Sequence, residues 1–296
     1  MARGVRIGDY QIEQELDGSV YRAVHTVLPR RALIKISRDT TESVAVLREA
    51  CILAALPHPG IVRVYETGRL PDHRTWFAQE IVDGLTLAGT FELGPLALEA
   101  AVAIGMIRDV AEILAFAHQR GVIHCGITAD CLVVAGRNRG FPMCITDWSA
   151  ARPHDAAPAA TAPGAWVAPE LAAGDVIDDR ADVYSLGLIA YRAIAGVAAA
   201  GVALELVCPE LPRELTSLVD SMLAKDRWDR PSAAEVRAEL GFIAGTLSTF
   251  RPPEPVRIRK PRWTPQVDLG PRLETSLRAD TEADPGILPG TRDDVE

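Results

Sequence analysis

The stretch VIHCGITADCLVV, Val122 to Val134, concentrates the side chains best suited to chemistry. His124 and Cys125 are adjacent, Asp130 and Cys131 close the same stretch, and Cys144 and Asp147 follow downstream. Thiolate, imidazole and carboxylate are the ligand set of a soft-metal site. The Cys-x5-Cys spacing of Cys125 and Cys131 matches no structural zinc pattern, however. Adjacency of His124 and Cys125 does not make a nucleophile and base either, because such pairs meet in space and not in sequence. The simpler expectation is buried free thiols that pack as small hydrophobes, with no metal.

The elements that must position these residues fall into two groups. YQIEQEL, SVYRAVH, RALIKIS, IVRVYETG and TWFAQEI alternate apolar and polar residues between turn signals and read as strands. Among them, Ser43 to Leu56 carries apolar residues at helical spacing and stops before Pro57 and Pro59. From about Leu96 the pattern turns helical, with one long amphipathic segment ended by Gly121. Two β runs follow, Cys131 to Ala135 and Met143 to Thr146. Helices are predicted near Ala181 to Ala195, Glu214 to Ala224 and Ser232 to Leu247. The plan is α+β and bilobal. An arm spans 1–8, a β-rich lobe with one helix 9–82 and a mainly helical lobe 83–248. A tail rich in proline and charge spans 249–296 and is expected to be disordered. Its basic cluster, Arg257, Arg259, Lys260 and Arg262 beside Trp263, reads first as a solvated tail and second as a docking peptide.

Composition narrows the function classes. Hydrophobic residues make up 48% of 296, enough for a full core. Thirty-one basic against 40 acidic side chains leave a net charge of −9, which argues against nucleic acid or anionic membrane as the main partner. Five irregularly spaced cysteines suggest reduced thiols and a cytoplasmic location. No signal peptide is visible at the start. The most apolar run, Ile189 to Leu206, is interrupted by Tyr191, Arg192 and Glu205, so no membrane span is expected.

Taken in order, these stretches resemble the eukaryotic-like Ser/Thr protein kinase family, in its bacterial branch, over about residues 9 to 247. RALIKIS is similar to the strand carrying the family's lysine, here Lys35, and REACILAALPHPGIVRVYETG to its αC helix, with Glu49 as the pairing acid. AQEIVDGLTL resembles the hinge. VIHCGITADCLVV stands where the H-R-D-x-x-x-x-N loop belongs, and CITDWSAAR at the D-F-G position. Ala168, Pro169 and Glu170 keep the APE motif, and ADVYSLGLIAYRAIAG resembles the αF helix with its Asp182. Arg230 in LAKDRWDRPSAAEVRAEL would pair with Glu170.

The resemblance implies a set of reaction parts, and several are missing here. Phosphoryl transfer is mostly positioning and charge neutralisation. ELDGSVYRA leaves three residues between Leu16 and Val20, too few for the family's L-G-x-G-x-x-G-x-V phosphate cover; Asp17-Gly18 reads instead as a tight hairpin turn. Leu33 replaces the small residue over the purine, Gln79 stands at the gatekeeper position and Val133 keeps an apolar floor, so the pocket is expected to be partly self-filled. The proton-accepting Asp aligns with Gly126, the phosphate-stabilising Lys with Thr128, and the metal-binding Asn with Cys131. Asp130 lies one residue away from that last position and is a weak substitute base. Trp148 and Ser149 replace Phe and Gly of D-F-G, which suggests a locked segment. Thr161 is one of two hydroxyls in the activation segment, and Pro163 replaces its usual threonine. The region after Gly196 looks shortened.

What remains is scaffold: His124, Trp148, Glu170, Asp182 and Arg230 as fold anchors, and Lys35, Glu49 and Asp147 as remnants of the ATP site. The expectation is therefore a pseudokinase, with no catalytic residues and no cofactor. It would act as a scaffold or allosteric module, with an active kinase, a phosphatase or a complex component as protein partner. The alternative is an atypical Ser/Thr kinase or nucleotide sensor that uses ATP and Mg²⁺ through Lys35, Glu49 and Asp147. A thiol or metal module at Cys125, Cys131 and Cys144 stands third.

Overall fold

The computed structural model describes residues 3–92, 99–136, 139–154, 156, 164–199 and 201–247. The tail with its basic cluster, and Thr161 and Pro163, lie outside the described residues.

A six-stranded antiparallel sheet forms the first lobe. Its strands are β1 (Arg6–Ile7), β2 (Tyr10–Asp17), β3 (Val20–His25), β4 (Arg31–Ile36), β5 (Val64–Arg69) and β6 (Thr75–Glu80), in the spatial order β1-β2-β3-β4-β6-β5. Alternation decides the faces. Tyr21, Ala23, Ala32, Ile34, Ile36, Trp76 and Ala78 turn one way and make a small core with Ile7, Tyr10 and Ile12. The pairs Val20–Lys35, Arg22–Leu33 and Leu33–Gln79 stand opposite one another across the ladder and face the other way, toward the second lobe. Register alone therefore carries Lys35 to the cleft. One boundary moves: the sheet begins at Arg6, inside the stretch read as an arm, because Ile7 is buried and pairs with Tyr10.

Helix α1 (Ser43–Ala55) packs Val46, Ala50 and Leu53 inward, with Glu49 on the same stripe. It ends at Ala55 because the approaching Pro57 and Pro59 cannot continue the helical ladder. The loop that follows lies directly on the second lobe. Gly60 makes this possible, since a Cβ there would sit 2.4 Å from Ile113 Cδ1. Ile61 bridges to Ile145 in the second lobe, so β5 starts only at Val64 rather than at Ile61.

The second lobe contains β7 (Gly84–Thr86), α2 (Leu87–Glu92), α3 (Ala100–His118), β8 (Val122–Ile123), β9 (Leu132–Ala135), β10 (Met143–Ile145) and β11 (Arg152–Pro153). Then come α4 (Pro169–Ala173), α5 (Arg180–Ala195), the short α6 (Leu204–Val207), α7 (Arg213–Met222) and α8 (Ala233–Leu247). Eleven of the sixteen residues of α5 are buried, so this helix is the axis on which the lobe is built. One apolar cluster runs from α1 through Trp148 to α5 and α8, which joins the two lobes through a common core. The elements the sequence pattern did not show (β1, β7, β8, β11, α2, α4, α6) have two to six residues each, too few to display a period.

Candidate functional site in the interlobe cleft

Lys35 donates to Glu49 Oε2 at 2.7 Å, so α1 is tied to the sheet. Its ammonium also lies 3.7 Å from Asp147 Oδ1. One cation thus stands between two carboxylates. Burial of Glu49, 3% exposed, pushes its carboxyl up against the pull of Lys35, while nearby Asp147 adds to the rise. Asp147 goes the other way. Partial burial opposes ionisation, but Lys35 and the Ser149 N–H, which donates to Asp147 Oδ1 at 3.1 Å, outweigh it and hold the carboxyl below its usual range.

Beneath these residues the loop is held by Asp182 on α5. Its Oδ2 accepts from the His124 N–H and its Oδ1 from the Cys125 N–H, each at 2.8 Å. His118, from the last turn of α3, adds a third bond to Oδ2 at 2.8 Å. Burial alone would raise the Asp182 carboxyl; His118 and the neighbouring donors lower it overall. The two amides can converge only because Cys125 takes a left-handed backbone, φ 59°. Such a conformation is uncommon outside glycine and costs energy that the Asp182 bonds offset. His118 was not singled out by sequence; its signal is position, a polar residue ending an apolar helix just before the loop. The His124 ring packs on Trp148, centroids 4.6 Å apart, and burial lowers its pKa, so it is a neutral packing group. Trp148 is fully buried in the same cluster as Leu53, with Val64 packed against it, and its indole N–H donates to the Ile145 carbonyl.

Gly126, Thr128 and Cys131 are brought together, but toward one another. The Thr128 N–H donates to Cys131 Sγ at 3.3 Å, and the Cys131 N–H to Thr128 Oγ1 at 3.4 Å. The thiol in turn reaches the carbonyls of Thr128, at 3.2 Å, and Gly126, at 3.9 Å. Burial pushes the Cys131 thiol up to about 11. At Gly126 even the space is taken: a Cβ there would stand 2.9 Å from the Ala150 methyl. Asp130 is exposed and does not border the cleft. Cys125 and Cys144 are buried, each pushed by desolvation up to about 12. Among the described residues no group of three or more His, Cys, Asp or Glu side chains is placed to hold a metal.

The cover over the cleft is a two-residue turn, Gly18-Ser19, between Asp17 and its partner Val20. The turn lies one residue later than the Asp17-Gly18 pair read from the sequence. Gly18 takes a positive φ, and its carbonyl accepts from the Tyr21 hydroxyl at 3.0 Å, which pins the tip. A cleft of about 450 Å³ opens below, lined by Asp17, Val20, Leu33, Lys35, Gln79 and Asp147 among others. The expected self-filling does not extend to the Lys35 end: Leu33 and Gln79 line this open space and do not close it.

This donor set does not fit a magnesium nucleotide. Magnesium ions prefer oxygen ligands, and the position beside Asp147 holds a protonated thiol turned into its own loop. A triphosphate would meet Asp17 and a turn with no row of converging glycine amides.

The remaining anchors lie below the cleft. Arg230 and Glu170 make a buried two-pronged ion pair, at 2.5 and 3.0 Å, with the Arg side chain fully enclosed. Arg230 also donates to the carbonyls of Ala224, Arg180 and Lys225.

Comparison with known proteins gives a consistent answer. A protein kinase domain model matches residues 16–240. The chain is 30% identical over 285 residues to the serine/threonine-protein kinase pkn2 of Myxococcus xanthus, covering 86% of this chain and 34% of that protein. It is 32% identical over 293 residues to the serine/threonine-protein kinase PknJ of Mycobacterium tuberculosis, covering 86% and 49%. It therefore spans a third to a half of the length of these relatives. The crystal structure of the Mycobacterium tuberculosis PknI kinase domain superposes with a TM-score of 0.66 at 26% identity, covering 82% of this chain and 99% of that one.

Proposed function

The chain belongs to the protein kinase family, and on that premise we propose that this member is a pseudokinase: a kinase-shaped module that binds a protein partner and does not transfer phosphate. One observation carries the reading. Where a kinase of this family needs base, cation and metal ligand, Gly126, Thr128 and Cys131 close on one another, and Ala150 fills the space a base would need. Loss of general acid–base help alone is worth about 10²–10⁴-fold, and the missing groups act in one transition state. The partner is a protein in a bacterial regulatory complex: an active kinase, a phosphatase or a structural component. The outer face of α1, with Val44 and Leu47 exposed, is one surface open to it.

The test is a titration of the full chain with ATP and Mg²⁺ or Mn²⁺, followed by melting temperature and binding heat. A native-state ligand at a hundredfold excess over its Kd stabilises by about 2.7 kcal/mol. The expected result is no shift at millimolar nucleotide and no labelled phosphate on any protein. A shift abolished by Lys35→Ala or Asp147→Asn favours the second reading, a nucleotide sensor. That reading is supported by the intact Lys35–Glu49 pair beside an open cleft. Phosphate transfer removed by the same substitutions overturns the pseudokinase reading.

A further inference from the structure

Arg139 lies in the loop between β9 and β10, in the second lobe, yet all three of its side-chain bonds go elsewhere. Nε donates to the Pro59 carbonyl at 2.7 Å and Nη2 to the Ile61 carbonyl at 2.9 Å, both in the loop after α1. Nη1 donates to Glu80 Oε1 at 2.7 Å, at the end of β6 where the chain crosses between lobes. The Arg139 side chain is 11% exposed and that of Glu80 22%, so the pair is shielded from solvent. Glu80 is itself fixed: Oε2 accepts from the Arg63 N–H at 3.3 Å, and its own N–H donates to the Arg63 carbonyl. Beside the guanidinium, the Ile145 N–H donates to the Gly60 carbonyl at 2.9 Å across the same boundary.

We propose that Arg139 is an interlobe lock: its guanidinium fastens the loop after α1 and the end of β6 to the second lobe, and so sets the angle of the cleft with the chain's own groups. Only a planar fork with donors in three directions can hold two carbonyls and a carboxylate at once; a lysine ammonium in its place would keep a single strong contact. The lock acts on the hinge side, opposite Lys35 and Glu49. The two ties fix α1 at its middle, through Glu49, and just beyond its end, at Pro59 and Ile61. The proposal does not rest on the cleft being empty of nucleotide.

Hydrogen exchange of the full-length wild type, Arg139→Ala and Glu80→Gln tests it. In Arg139→Ala, segments 59–64, 79–83 and 143–146 should exchange at least about tenfold faster, because the bonds to Pro59, Ile61 and Glu80 are gone and the adjoining Ile145–Gly60 bond loses their support. Segments of α5 and around Glu170 and Arg230 should keep their wild-type protection. Unchanged exchange at 59–64 and 143–146 overturns the proposal. A uniform acceleration that includes α5 also overturns it, since Arg139 would then serve global stability and not the relation between lobes. Should Arg139→Ala not fold, Glu80→Gln decides: faster exchange confined to 59–64 and 79–83 supports the lock, and none overturns it. Protection of the wild-type cleft by ATP would count against the pseudokinase reading alone and leave this result intact.

Discussion

The floor of the second lobe and the mouth of the cleft contain the same kinds of side chain, put to opposite uses. Around Asp182 and around Arg230, charge is buried and met by donors or acceptors at bonding distance: three contacts to one carboxylate, five bonds from one guanidinium. In the cleft, charge is left over. Lys35 is shared between Glu49 and Asp147, the Asp147 side chain is 60% exposed, and Asp17 faces the opening. The two carboxylates and the guanidinium of the floor are matched group by group, although ring nitrogens of His118 and His124 are buried there without a bond. In the cleft Lys35 keeps Glu49 as partner, while Asp147 and Asp17 stay open to the space above them. The floor is satisfied from within the chain, and the cleft retains charge that only solvent or a ligand can meet.

Substitutions can break or sharpen that contrast. The largest effect is expected at Arg230→Ala, which strands the buried Glu170 carboxylate and should cost about 3–5 kcal/mol in urea unfolding. A loss under 1 kcal/mol would mean the pair contributes little to the fold. Next is Asp182→Ala. It leaves the His124 and Cys125 amides buried and unbonded, at about 1–3 kcal/mol each, and should release the strained backbone at Cys125. The acid limb follows the same group. Its folded pKa lies below the unfolded value, so its stabilisation is present above the ordinary carboxylate range and is lost as pH falls through the lowered value. In the cleft, Lys35→Met should cost less, about 1–2 kcal/mol, because burial raises the Glu49 carboxyl and, with the ammonium gone, it can take up a proton in place of its lost partner.

The buried thiols give an alkaline counterpart. Cys125 and Cys144 are raised to about 12 and Cys131 to about 11, so the unfolded chain ionises first. Their contribution is complete below the unfolded thiol value and should fall progressively as pH rises toward 11–12, read as a decreasing melting temperature. At neutral pH an alkylating reagent should label exposed Cys51 and leave those three untouched until the protein is unfolded. The smallest effect is expected from restoring reaction groups. On the pseudokinase reading, Gly126→Asp, Thr128→Lys and Cys131→Asn combined with Ala150→Gly should give no detectable phosphate transfer, because the short Gly18-Ser19 turn presents no row of glycine amides to a triphosphate. Transfer by that variant would place the defect in the loop alone.

Much of this was legible in the sequence. The resemblance of RALIKIS and REACILAAL named Lys35 and Glu49 as a pair, and alternation along β4 and helical spacing along α1 agree with the sides they take. Period is a local property, so a single sequence displays it. The turn at Gly18 was read one residue early, because β-bulges at Ile12/Gln14 and Glu15/Asp17 shift the pairing and no side-chain pattern encodes them. The role of Arg139 was not legible at all. Its partners are mainly backbone carbonyls some 80 residues away, and a carbonyl has no sequence signature. The open cleft has no sequence signature either: Leu33 is larger than the residue usual in the family, yet it lines the space and does not fill it.

The methyl of Ala150 has a consequence for history as well as for shape. A side chain at position 126 would bring its Cβ to 2.9 Å from a methyl rooted directly on the backbone, so the loop must shift to admit one. A carboxylate would sit there at ease only with a smaller neighbour, which makes two changes and not one. On the pseudokinase reading the gap at Gly126 works as a ratchet, entered by small steps and hard to leave by them.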